Sequence, residues 1–181
     1  MQTTELFERM AHNNAWANHR LHAAVAQLAD ADHRAPRTSF FPSLHLTLAH
    51  ILYVDLYYVA SLEGHPVPDR DAHWAQNDRF DESGTFAELR AAQIDVDRRL
   101  IATAAAAAPA IVELPRAHGM TREPRELVLL HLFQHQVHHR GQAHAMLAGT
   151  RVTPPQLDDF FLEQDLPLRA HELRALGLPE R

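Results

Sequence analysis

One stripe of residues near the C-terminal end constrains the fold more than any other feature. Val128, Leu132, His135, His139, Gln142 and Met146 follow one another at spacings of 4, 3, 4, 3 and 4. This is the repeat of one face of an α-helix. Two histidines and a glutamine interrupt a face that is otherwise apolar, and residues i and i+4 lie only about 40° apart around a helix. Both imidazoles can therefore reach one point in an interior, where an unpartnered polar ring is costly. A metal ion is one partner that would satisfy them. Hydrogen bonds to carbonyls or water are another, and the pairs His131/His135 and His135/His138 compete on neighbouring faces.

A third ligand would have to come from a different helix. His50 is the best donor, because Leu48, Ile51, Leu52 and Val54 surround it with little polar company, whereas His45 lies nearer the helix start where more solvent is expected. That segment reads as a helix beginning between Ser39 and Ser43 and ending at Gly64, with Pro42 in its first turn. It is apolar nearly all round, so it should be the most buried helix.

The remaining chain supplies two more long helices. Thr4 can cap a first helix, with Glu5 and Glu8 at its positive end. Its expected stripe is Leu6, Met10, Asn13, Ala17, Leu21, Ala24 and Leu28. The polar stretch 65–84 reads as a long crossover with a short helical turn near Trp74. Thr85 and Glu88 form a capping box for a third helix, with Leu89, Ala92, Val96, Leu100, Thr103 and Ala107 on one face and Pro109 as its stop. Residues 110–120 read as a connection, Thr121 as the cap of the histidine helix, and 156–163 and 168–176 as a short helical tail. The expectation is an all-α four-helix bundle with a helical tail, one domain over residues 1–181.

Composition removes several classes. The chain has no cysteine, which excludes disulfides, thiolate ligands and a cysteine nucleophile, and suits a reducing compartment. The segment around Leu6 and Phe7 has no apolar core of a signal peptide, and no run is long enough to span a bilayer, so a cytoplasmic protein without membrane contact is expected. Net charge is −6 with basic residues scattered, which gives no footprint for nucleic acid. The absence of any Glu-x-x-His disfavours a ferritin-like di-iron site, and the absence of His-Glu-x-x-His excludes a zincin protease.

Three motifs carry a family resemblance. Thr47-Leu48-Ala49-His50-Ile51-Leu52, followed by Tyr57 and Gly64, resembles the DinB-family motif around its first metal histidine. His135-Gln136-Val137-His138-His139-Arg140-Gly141-Gln142 closely resembles the family's H-x-x-H-H-R-G-Q signature, and Asn14-Ala15-Trp16-Ala17-Asn18 resembles a weaker third motif. Gln134 departs from the asparagine that many relatives carry. The resemblance covers residues 1 to about 148. It implies an up-down-down-up bundle, a homodimer, and one divalent metal, zinc or nickel, on His50, His135 and His139. His138 would then lie outside the ligand set.

Three neutral histidines leave a coordination position for water or substrate, as catalytic sites do. The resemblance therefore implies a metal-dependent enzyme acting on a small molecule, as a transferase of low-molecular-weight thiols or as a hydrolase. The alternative is a non-catalytic, stress-related metal- or ligand-binding protein; a general base beside the metal would separate the two, and none is evident in the sequence. Trp16 and Asn18 are candidates for the pocket border, with packing the simpler role for Trp16. Arg140 reads as a structural ion-pair partner, Tyr53 and Tyr57 as hydroxyl donors, and Phe160-Phe161 as a dimer contact. Asp55 sits about 140° around from His50. Metal affinity is expected to fall below about pH 6.5, where protons compete for imidazole.

Overall fold

The computed structural model describes residues 2–67 and 84–180. It is mostly helical. Helix α1 spans Thr3–Val25, α2 Asp30–Arg34, α3 Leu44–Leu62, α4 Phe86–Ala105, α5 Arg125–Ala148 and α6 Leu166–Leu176. The expected turn near Trp74 lies outside the described residues. Among the described residues, no helix is long and apolar enough to cross a membrane.

Helix α1 packs on α4 and α5, and α3 packs on the same two. The largest core cluster runs between them, with Leu21, Leu48, Leu52, Leu89, Leu100 and Leu132 essentially removed from solvent. As the sequence predicts, α3 is heavily buried, with 15 of its 19 residues inside. His45 is inside too, at 2% exposure, so it is not the solvated residue its position suggested.

Local chemistry sets the ends of the helices. Gln2, rather than Thr4, caps α1, and its backbone N–H donates to the Glu5 carboxylate at 3.2 Å. Ser43 starts α3 by accepting from the Leu46 N–H at 3.1 Å. The capping box of α4 forms as expected: the Thr85 N–H donates to Glu88 at 2.8 Å, and the Glu88 N–H donates to Thr85 Oγ1 at 3.2 Å. Helix α4 stops at Ala105, a turn before Pro109. Buried Arg125 donates to the Leu62 carbonyl at 3.1 Å and to the Thr103 carbonyl at 2.6 Å. It thus ties the ends of α3 and α4 together, joining the Ala106 N–H at the Thr103 carbonyl.

The all-α expectation is corrected between 110 and 124. Strands β1 (Ile111–Arg116) and β2 (Gly119–Pro124) form an antiparallel hairpin paired from Ile111↔Pro124 to Arg116↔Gly119. Val112 and Leu114 point into the core while Ile111 and Glu113 face solvent, the alternation of a half-buried strand. Gly119 takes φ +114, a conformation that L side chains rarely adopt. Thr121 therefore belongs to a strand and does not cap α5, which starts after Pro124. The Tyr57 hydroxyl anchors the hairpin by donating to the Pro115 carbonyl.

The tail is helical only from Glu163 onward, as a 3₁₀ turn at Glu163–Asp165 followed by α6. It makes a second small core in which Phe160 and Leu173 pack on Trp16 and Ala17. Trp16 is fully buried there, tilted against Phe160 at 5.5 Å, with its indole N–H donating to Glu172 at 2.8 Å. Phe160 is thus buried within the chain itself, and of the expected aromatic pair only Phe161 is exposed.

Candidate metal centre

Helix α5 presents two buried faces. One carries Val128, Leu132, His135, His139 and Met146; the other carries Leu129, Phe133, Gln136, Arg140, Ala143 and Leu147. The first face meets α3 at His50. Ring centroids are 4.9 Å apart for His50–His135, 4.6 Å for His50–His139 and 4.4 Å for His135–His139. One nitrogen from each ring lies within 4.8 Å of the other two, close enough to hold one metal ion. His50 Nε2 and His135 Nε2 stand 3.0 Å apart. Zinc–imidazole bonds of about 2.0–2.1 Å need ligand nitrogens roughly 3 Å apart, so this spacing fits.

The electrostatics suit ligation. Burial, reinforced by the neighbouring imidazoles, holds His135 down at about 3 and His50 at about 4. Burial also lowers His139, opposed by its bond to Gln142. The rings are therefore neutral at pH 7 and keep a lone pair each. His139 Nδ1 lies 2.8 Å from Gln142 Oε1, and Gln142 Nε2 lies 3.1 Å from His138 Nε2. In the consistent proton assignment, His139 Nδ1–H donates to Gln142, which leaves Nε2 as the lone-pair nitrogen. His135 Nδ1 is buried without a hydrogen-bond partner among the described residues. An all-nitrogen, thiolate-free donor set is one that zinc and nickel accept.

His138 is exposed and sits edge-on to His139 at 4.8 Å, outside the three-ring cluster. Sequence reasoning missed Phe41, which the loop before α3 lays 4.4 Å from the His50 ring and 5.7 Å from His139. Its signal was an aromatic immediately ahead of Pro42 and the Ser43 cap. Tyr57 is committed to the hairpin, and Trp16 to the tail. A cavity of about 620 Å³ lies between the ends of α3 and α4 and the hairpin, and none of the three histidines lines it.

The second face of α5 builds a buried polar network across all four long helices. Asp55 of α3 accepts from Gln93 at 2.8 Å and from Gln136. Asp97 of α4 accepts from Asn14 at 3.1 Å, Asn18 at 3.0 Å and Gln93 at 3.1 Å. Arg140 donates to Asn14, to Asn18 at 3.1 Å and to Gln136 at 3.0 Å. Arg140 is thus held by amide oxygens, with no direct ion pair among the described residues. Asn18 is part of this network and not of the histidine cluster. Burial raises Asp55 to about 7 and Asp97 to about 6, Asp97 adding to the rise at Asp55 and the amide donors opposing both. Burial lowers Arg140 to about 10 against the pull of both carboxylates.

A search of curated proteins returns no match. The family model described as the DinB family matches residues 1–167, which include all three clustered histidines and the network beside them, so the chain belongs to the DinB family.

Proposed function

We propose that the chain is a metal-dependent enzyme acting on small molecules, with His50, His135 and His139 holding one divalent ion, zinc or nickel. The observation that carries this reading is the convergence of three neutral imidazoles, one nitrogen of each within 4.8 Å of the others. Three protein ligands leave room for a substrate atom, whereas closed structural sites use four. A bound ion would supply Lewis acidity and lower the pKa of a coordinated water or thiol. The chain's own residues do the rest. Gln142 fixes the ring of His139, Phe41 shields the cluster on one side, and burial keeps His50 and His135 free of protons. Because the chain has no cysteine, a thiol taking part in the reaction must arrive with the substrate. Thiol S-transfer and hydrolysis of a small electrophile are the two reactions this arrangement supports.

A non-catalytic metal- or ligand-binding protein is the second reading. It is favoured by the surroundings of the cluster: Asp55 faces the polar network, and the Tyr57 hydroxyl is spent on Pro115. Metal-loaded protein tested against small thiols with epoxides, maleylpyruvate-like acids and chlorodinitrobenzene, and separately against esters and lactones, decides between them. Metal-dependent turnover lost in His139→Ala supports the enzyme, and thiol dependence selects the transferase. Silence in both panels with metal bound selects the binding protein.

The same reading includes one domain over 1–181, a four-helix bundle of up-down-down-up topology, a cytoplasmic location and a homodimer. Contacts that rise together along two helices support the topology. Phe7 meets Phe133 and Asn14 meets Arg140, so α1 and α5 share a direction. Gln93 meets Asp55 and Arg99 meets Glu63, so α3 and α4 share the other. Exposed Leu127, Leu130 and Val137 on α5 offer a dimer face. Sedimentation at micromolar concentration would show a dimer, and a lone monomer would rule that part out.

A further inference from the structure

The buried polar network between the long helices leaves two acceptors unmet. Asp55 takes both of its hydrogen bonds on one oxygen: Gln93 Nε2 donates to Oδ2 at 2.8 Å, and Gln136 Nε2 donates to the same atom. Asp55 Oδ1 is buried with no partner among the described residues, and so is Gln93 Oε1. Asp55 and Gln93 are each 1% exposed, so bulk solvent reaches neither. Turning the Gln93 amide over gives no relief, because Oε1 would then stand against carboxylate oxygens of both Asp55 and Asp97. The two unmet oxygens thus belong to side chains that one hydrogen bond already joins, in an interior where polar groups are normally paired.

Charge leads to the same place. Among the described residues the network contains two carboxylates, Asp55 on α3 and Asp97 on α4, and one guanidinium, Arg140 on α5. On α1, Asn14 and Asn18 carry no charge, and burial keeps His22, which lies toward Arg140, neutral. With both carboxylates ionised, one buried negative charge is left without a counter-ion, which is costly. Asp97 is well provided for: amide N–H groups of Asn14, Asn18 and Gln93 converge on its Oδ1, and Asn18 also reaches Oδ2 at 3.2 Å. No donor among the described residues reaches Asp55 Oδ1. Burial, with Asp97 adding to it, pushes Asp55 up to about 7, above Asp97 at about 6.

We propose that Asp55 is held as the carboxylic acid, with Oδ1–H donating to Gln93 Oε1 while Gln93 Nε2–H donates back to Asp55 Oδ2. A protonated carboxyl has one O–H to give, so a single proton meets both orphan oxygens. Arg140 is then left to balance Asp97 alone. The acid–amide pair fastens α3 to α4, and through Gln136 the same carboxyl holds α5. The fastening lies behind the histidine cluster and does not depend on the metal reading. Because the fold binds this proton more tightly than the unfolded chain does, the stabilisation is complete below the ordinary value of 3.8 and is lost as pH rises through about 7.

Infrared spectroscopy of the full chain with its metal reads the proton directly, because a protonated carboxyl absorbs above the amide and carboxylate bands. At pH 6 the protein should show this band, and ¹³C in the aspartate carboxyls should shift it, which assigns it to aspartate without any substitution. Gln93→Met keeps the length of the side chain but not its acceptor, and should move the band to higher frequency. Asparagine supplies the N–H that the acid would give, so Asp55→Asn should lose the band, match the parent's stability in acid and exceed it at pH 8. In denaturant titrations the ratio of the two folding constants should rise about tenfold per pH unit between about pH 5 and 7, the linkage of one proton. Asp97→Asn should be the less stable of the two asparagine variants at pH 8, since it sets an N–H against the amides that donate to Asp97. The proposal is overturned if the labelled parent shows no such band at pH 6, which would leave Asp55 ionised and a buried water to serve the two oxygens. It is equally overturned if the band stays unmoved in Gln93→Met, or if Asp55→Asn is less stable than the parent or than Asp97→Asn at pH 8.

Discussion

Replacing Arg140 by leucine probes the polar network that lies behind the histidines. Arg140 is 4% exposed and donates to oxygens on Asn14, Asn18 and Gln136. The substitution strands those acceptors and removes a cation that offsets Asp55 and Asp97. Removing one side of a buried charged assembly costs about 3–5 kcal/mol. For a chain of this size, that lowers the unfolding temperature by about 6–20 °C. The loss should depend on pH, with a definite sign. Asp55 titrates near 7 and Asp97 near 6 in the fold, both above their unfolded value. Their contribution is therefore present at low pH and lost as pH rises through 6 and 7. Near pH 5 both are largely protonated and need no cation, so Arg140→Leu should cost less there than near pH 8. Circular-dichroism melts of metal-free protein at the two pH values give the comparison, and adding Asp97→Asn should recover part of the loss at high pH. A loss below about 1 kcal/mol at both values, or an equal large loss at both, would refute the assignment of a charge-balancing role to Arg140.

Gln142→Ala should weaken metal binding by about 10–100-fold, since it removes the acceptor that orients His139, and chelator competition measures this directly. An unchanged affinity would mean that the 2.8 Å contact does not hold the ring. The half-buried His50 and His135 also set the acid limit. His50 near 4 and His135 near 3 stay neutral in the fold while the unfolded chain takes up protons below about 6.5. Their stabilisation is thus complete above about pH 6.5 and lost as pH falls toward 4. The fall in metal affinity expected from the sequence below about pH 6.5 therefore moves down: zinc occupancy followed by equilibrium dialysis should persist to about pH 5, and half-loss already at pH 6.5 would contradict the burial.

The histidine cluster was legible because its residues leave a periodic trace. His135 and His139 break an apolar stripe at i, i+4 spacing, and His50 stands in an apolar helix. The network was not legible, because its polar side chains look like solvent-facing ones. On α1 the buried face runs through Phe7, Ala11, Asn14, Asn18, Leu21 and Val25; the second half of the expected stripe, Ala17, Leu21, Ala24 and Leu28, is buried, but its start at Leu6 is 38% exposed. Two asparagines on the true face disguised it. On α5, Gln136 and Arg140 hid a second buried face in the same way. The hairpin at 111–124 was obscured by length: six residues of alternation, with Pro115 inside them, carry less signal than a four-turn helix. Asp55 was correctly placed away from His50, but its partners Gln93 and Gln136 become visible only when three helices meet.

Whether His50, His135 and His139 bind a metal is directly measurable. Elemental analysis of protein purified without a His tag, which avoids nickel carried over from affinity resin, should find one divalent ion per chain. His50→Ala, His135→Ala and His139→Ala should each lose most of it, while His138→Ala, whose ring lies outside the cluster, should retain it. Metal-free protein that refuses zinc and nickel on reconstitution, or normal occupancy in His135→Ala, would contradict the account.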